Sequence, residues 1–158
     1  MKILLSACLL GVNCRYDGGN NRLAALTDRL KGHELHGVCP EVLGGLPTPR
    51  VPAEILGGTV VTADGRSVDS EFRAGALAAL QLARMLRPDL VILKSRSPSC
   101  GAGEIYDGSF SHVRIPGDGV FAAYLKKEGF RVMTEEEALL ALPNMQPSIE
   151  GAAERSEK

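Results

Sequence analysis

Apolar positions in this chain fall into two rhythms that alternate along its length. Residues 2–7 form a short apolar run with no helical period, followed by a Gly- and Asn-rich stretch, which predicts a buried parallel strand and then a loop. Leu23, Leu26 and Leu30 recur at intervals of three and four, predicting a short helix over 22–30 that ends near Gly32. Residues 34–38 read as a second strand that stops at Cys39 and Pro40. Gly and Pro dominate 44–58, the composition of an irregular loop lying over a site. Residues 59–62 and 66–68 flank Ala63, Asp64 and Gly65, so a small hairpin with an Asp-Gly turn is expected there.

The clearest helical signal starts after Asp69, which fits an N-cap. It carries Phe72, Ala76, Ala79, Leu80 and Ala83 on one face and is stopped by Pro88. Residues 89–93 predict a third buried strand. The segment that follows, 94–108, holds too many Ser, Gly and Pro residues for regular structure. A helix over 119–128 closed by Gly129, a fourth strand at 131–133, and a capping box of Thr134 with Glu137 opening a last helix complete the pattern before Pro143. Strands alternating with helices imply a single three-layer α/β domain over residues 1–143. It would have a mostly parallel, Rossmann-like sheet, helices on both faces and a small β-hairpin insertion. Residues 144–158 are polar with little to bury and predict a flexible C-terminal tail.

Composition narrows the class. The 158 residues with 44% apolar content suit one core, and the formal net charge of −1 with no basic run offers no grip on a nucleic-acid backbone. The opening apolar stretch is too short to span a membrane and has no cleavage pattern after it, so a cytoplasmic protein is expected. The pattern fixes no subunit number. In a reducing cytosol the four cysteines would be thiols available for metal or chemistry.

Ligands of open α/β sheets bind beyond the carboxyl ends of the strands. Cys8 follows the first predicted strand, Cys39 ends the second and Cys100 lies in the loop after the third, so all three belong to one sheet edge. Thiolates suit iron-sulfur clusters and zinc alike. There is no CxxC pair of the structural zinc kind and no closely spaced ferredoxin run. Scattered ligands on a rigid edge suit a catalytic centre with a free coordination position. Cys14, six residues after Cys8, stands open as a fourth ligand or a resolving thiol, and any one cysteine has the alternative of simply packing. His33, His36 and His112 show no ligand spacing, and Gly18, Gly19 and Asn20 match neither nucleotide fingerprint.

Four motifs in order, SACLLG at 6–11, RYDG at 15–18, CPE at 39–41 and KSRSPSCG at 94–101, resemble a bacterial family known through 2-thiouracil desulfurase. The resemblance implies a [4Fe-4S] cluster held by Cys8, Cys39 and Cys100, which sit in three of those motifs, with Cys14 a bystander. A cluster with three thiolates leaves one iron open to a thiocarbonyl sulfur. That makes it a Lewis acid for non-redox removal of sulfur from a small thiolated base, the sulfur being released or transferred. In that setting Glu41 is the expected general base for water and Ser97 the expected oxyanion partner. Lys94 and Ser99 are expected to bind substrate, and Arg15 with Asp17 to brace the first loop. Two other readings compete: a cluster-free persulfide sulfurtransferase using Cys8 beside Cys14, and a non-enzymatic module that holds a small ligand.

Overall fold

Ile3, Leu4 and Leu5 are all buried, and so are Leu90, Val91, Ile92 and Leu93, which is what strands covered on both faces require. The computed structural model describes residues 1–142. Its first half runs β1 (Lys2–Ser6), a 3-10 turn (Ala7–Leu10), α1 (Ala24–Arg29), β2 (Glu34–Val38), α2 (Pro40–Leu43), β3 (Ala53–Leu56) and β4 (Thr59–Thr62). The second half runs α3 (Asp69–Leu86), β5 (Leu90–Leu93), β6 (Glu104–Tyr106), β7 (Arg114–Pro116), α4 (Val120–Lys127), β8 (Val132–Thr134) and α5 (Glu135–Ala141).

Four strands form one parallel sheet in the order β2-β1-β5-β8, and two antiparallel pairs, β3 with β4 and β6 with β7, stand apart from it. Because successive side chains on a strand point to opposite faces, each central strand feeds two cores. Leu4, Val91 and Leu93 pack with Phe72, Ala76, Ala79 and Leu80 of α3 and Phe121 and Leu125 of α4. Ile3, Leu5, Leu90 and Ile92 pack on the other face with Leu26 and Leu30 near α1 and Ala138 of α5. The three layers, the parallel sheet and the apolar face of α3 are as the sequence predicts. So is the Thr134 capping box, in which Glu137 N donates to Thr134 Oγ1 at 3.0 Å and Thr134 N to Glu137 Oε1 at 2.9 Å.

Three local expectations are corrected. An additional hairpin turn sits at Gly57 and Gly58, both at positive φ (57° and 86°) as a tight two-residue turn demands, and it pairs β4 with β3, a strand inside the stretch expected to be irregular. The expected turn at 63–65 also forms: Ser67 bridges antiparallel to Val61, Thr62 N donates to Arg66 O at 2.8 Å and Val68 N to Val60 O at 3.0 Å, so β4 is paired on both sides. Asp69 is not the N-cap of α3: Val68 holds that place, while Asp69 Oδ1 accepts from Val60 N at 3.0 Å and ties the hairpin to the helix. The four-residue α2 and the three-residue β6 and β7 are too short to show a period, and only the tertiary pairing of Ile105 with Ile115 makes the latter strands. The tail expected at 144–158 lies outside the described residues. No helix of the described residues is long and apolar enough to cross a membrane.

Gly75 sits where α3 meets α2, and a Cβ there would lie 1.8 Å from the carbonyl oxygen of Pro40 and 2.8 Å from Gly44 N. Neither backbone can yield without moving Cys39 and Glu41. Gly75→Ala is therefore expected to lower the unfolding free energy by about 3 kcal/mol, the upper range for overpacking. Thr134→Ala, which removes a cap only, is expected to cost about 1 kcal/mol. Urea denaturation of the two variants side by side checks both values, and equal losses would refute the close-packing account.

Candidate active site

The sheet order reverses direction at β1: the chain goes to β2 on one side and then to β5 on the other. Such a switch point opens a crevice at the carboxyl ends of the strands. The cleft found there has a volume of about 890 Å³, within the range of small-ligand sites, and all four cysteines line it.

Each thiol reaches the cleft by a different device. Cys8 lies in the 3-10 turn after β1, where Asn21 N donates to its carbonyl at 2.9 Å and Asn21 Nδ2 to its sulfur at 3.3 Å. Arg15 Nη1 donates to Asn21 Oδ1 at 2.6 Å and pairs with Asp17 at 3.1 Å, so the expected brace of the first loop also aims the Cys8 contact. Cys39 is the N-cap of α2, with Pro40 at the first helical position, where its fixed φ suits a helix start.

Cys100 is held by the start of α4. Gly119 N donates to Gly101 O at 2.7 Å, Val120 N to Pro98 O at 2.9 Å and Phe121 N to Ser99 O at 2.9 Å, so helix N–H groups without intrahelical partners anchor the cysteine loop. A Cβ at Gly119 would come within 2.5 Å of Ser99 C, which is why glycine stands there.

Cys14, the fourth thiol, is buried and hydrogen-bonds to Cys39. Burial pushes its thiol up to about 12, with the nearby charges of Cys39 and Cys8 adding to the effect. Burial also raises Cys8 and Cys100 above the ordinary thiol range. Asn21 opposes the shift at Cys8, while Ser6 and Ser99 oppose it at Cys100. Ionised sulfur in this cleft therefore needs a cationic partner. Lys94 favours the thiolate of Cys8, but its Nζ is already 3.2 Å from Glu135 Oε2.

Among the described residues no group of three Cys, His, Asp or Glu side chains is arranged to hold a single metal ion. One zinc would draw its sulfurs to roughly 2.3 Å from a common point. A polynuclear cluster binds each thiolate at a different iron and suits a set spread over three loops.

Glu41 carries the densest polar network. Its Oε1 takes Arg50 Nε and Nη2, both at 3.0 Å, and its Oε2 takes Ser99 Oγ at 2.7 Å. The pair is well shielded, with the Arg50 and Glu41 side chains 7% and 15% exposed. Arg50 also donates to the carbonyls of Cys14 at 2.7 Å and Pro47 at 3.1 Å, binding the Gly/Pro-rich loop to the cleft. Ser97 Oγ accepts from Ser99 N at 3.1 Å and Cys100 N at 3.0 Å and lies 3.0 Å from Ser99 Oγ. With the Ser99 hydroxyl donating to Glu41, the Ser97 hydroxyl donates to Ser99 Oγ.

All the residues singled out from the sequence, Cys8, Cys39, Cys100, Glu41, Lys94, Ser97 and Ser99, line this one cleft. Sequence reasoning missed Arg50, Asn21, Ser6 and Glu135. Glu135 is buried and accepts from Ser95 N at 2.7 Å and Ser95 Oγ at 2.9 Å, joining α5 to the segment after β5. Arg50 alone had a signal, as the one basic residue in the Gly- and Pro-rich stretch 44–58.

A family model described as 2-thiouracil desulfurase matches residues 3–137. YbbK, an uncharacterized protein of Bacillus subtilis (strain 168), is 45% identical over 148 residues, which span 85% of this chain and 96% of that one. Among solved structures, the [4Fe-4S]-dependent thiouracil desulfidase TudS superposes with a TM-score of 0.81 at 44% identity, over 90% of this chain and 95% of the other.

Removing one partner of a shielded ion pair strands the other charge. Arg50→Met is expected to lower the unfolding free energy by about 3 kcal/mol. Arg50→Lys should recover only part of it, because a point charge cannot serve Glu41 and two carbonyls together. Chemical denaturation measures both, and an unchanged midpoint for Arg50→Met would show that the pair does not hold the loop.

Proposed function

The chain belongs to the 2-thiouracil desulfurase family, and from that premise we propose that it removes sulfur from a small thiolated base such as 2-thiouracil, using a [4Fe-4S] cluster held by Cys8, Cys39 and Cys100. One observation carries the reading: three thiols from three different strand ends line a single cleft beside a carboxylate fixed from two sides. The free thiols fit a reducing, cytoplasmic setting, and the cleft suits a small molecule better than a nucleic-acid polymer.

When bound, the cluster supplies an iron corner without a protein thiolate, a soft Lewis acid for a thiocarbonyl sulfur. The protein's part is proton handling and positioning. An ionised carboxylate offers about four acceptor sites, and Arg50 and Ser99 fill three of those on Glu41, leaving room at Oε2 for a water. Glu41 holds that water and takes its proton as the water attacks the carbon bearing sulfur. Ser99 and Ser97 keep Oε2 aimed at the cleft; their hydroxyl protons are committed to this chain, so we assign them positioning in place of direct contact with substrate. Lys94, neutralised in part by Glu135, offsets the charge of the Cys8 thiolate. Cys14 steadies Cys39 by its hydrogen bond and ligates nothing in this scheme.

Anaerobic reconstitution with iron and sulfide analysis tests the ligand set. Cys8→Ser, Cys39→Ser and Cys100→Ser are each expected to lose the cluster, and Cys14→Ser to keep it. Full turnover in Cys39→Ser and Cys100→Ser with loss in Cys8→Ser alone would replace the cluster by a nucleophilic cysteine. Glu41→Gln should retain iron while uracil production falls by a factor of about 10²–10⁴. A normal rate in that variant removes Glu41 from proton transfer.

A further inference from the structure

Helix α3 is apolar also on the face that no other described residue covers. Its inner face, Phe72, Gly75, Ala76, Ala79, Leu80 and Ala83, is buried in the core. The opposite face carries Ala74, Leu77, Ala78, Gln81, Leu82 and Met85, all exposed, with Leu77, Leu82 and Met85 at 51%, 45% and 82%. Positions 74, 78, 81 and 85 follow spacings of four, three and four, the interval of a helix seam. A surface helix ordinarily places charge on its outer side, and one that is hydrophobic all round is buried. Here about three turns of outer face, from Ala74 to Met85, place no charge on the seam itself, and Arg73 and Arg84 border it. The short α2, packed on the same helix at Gly75, adds Val42 and Leu43, each 45% exposed.

We propose that this face is the contact between two copies of the chain, their α3 helices packed antiparallel about a two-fold axis near Ala78. The face is complementary to itself in that arrangement. Leu82 of one helix falls at the level of the small Ala74 of the other, and Ala78 faces its own copy where close approach is needed. Asp69 and Arg84 are held within the chain by Arg73 and Glu128, which leaves Glu71 of the acidic first turn and Arg87 at the basic end to meet their opposites on the second copy, and the helix dipoles oppose. Glu71 and Arg87 form no ion pair with another described residue, so their charges are available for this role. An isologous contact needs only such a self-complementary patch. The proposal is independent of the chemistry of the cleft.

Equilibrium sedimentation of the full chain at micromolar concentration is expected to give twice the 16.8 kDa mass of one copy. Ala78→Glu, which sets two like charges face to face, should return it to one copy with its circular dichroism unchanged. Under mild oxidation Ala78→Cys is expected to give a disulfide-linked dimer, and Lys127→Cys, exposed on α4, to give none beyond the wild-type background. A wild-type chain that stays monomeric overturns the proposal, as does a dimer indifferent to Ala78→Glu or an Ala78→Cys variant that crosslinks no better than Lys127→Cys.

Discussion

Parallel register is the constraint from which the cleft follows. Ser6 at the end of β1 is level with Val38 at the end of β2, and Leu5 with Ile92 of β5, so the residues just beyond those strands must emerge side by side. Cys39 and Lys94 each come one residue past a strand end and Cys8 two past. The helices on both faces cannot fill the gap, because the chain leaves β1 in one direction for β2 and in the other for β5. A space lined by cysteine, lysine and serine is thus a result of topology before it is a result of composition.

What makes the space a chemical site is the cost of leaving charge inside it. Burial raises the thiols of Cys8 and Cys100, so the cleft resists thiolate unless a cationic centre is present. Glu41 meets the same penalty, and Arg50 meets it with three donors shared among Glu41 and two carbonyls. The pair is weak evidence for stability and better evidence for specificity, since it fixes where a carboxylate oxygen points and closes an otherwise featureless Gly/Pro loop over the site. Two helix ends do parallel work: α2 starts at Cys39, and the first N–H groups of α4 grip the carbonyls around Cys100.

Away from the cleft, the hairpin of β3 and β4 and the outer face of α3 show the same economy in which one element serves two neighbours. Asp69 bonds both the hairpin through Val60 and its own helix through Arg73 at 2.6 Å. Helix α3 closes one core on its inner side and offers an apolar seam, bordered by Arg73 and Arg84, on its outer side.

The sequence by itself determined the layers and the sheet, because strands buried on both faces and helices with one apolar stripe leave periods that survive without tertiary context. The capping box at Thr134 is equally local, since all its partners lie within three residues. The motifs carried the family resemblance, and with it the cysteines and Glu41. Only the tertiary structure decided what each of those groups bonds to. Arg50 reaches Glu41 across nine residues, Ser99 reaches it across fifty-eight, and Glu135 reaches Ser95 across forty, separations at which no period or spacing rule operates. Strand β3 went unread for a related reason: it lies in a stretch whose Gly and Pro content reads as irregular, and its pairing with Thr59–Thr62 is a contact energy and not a local preference.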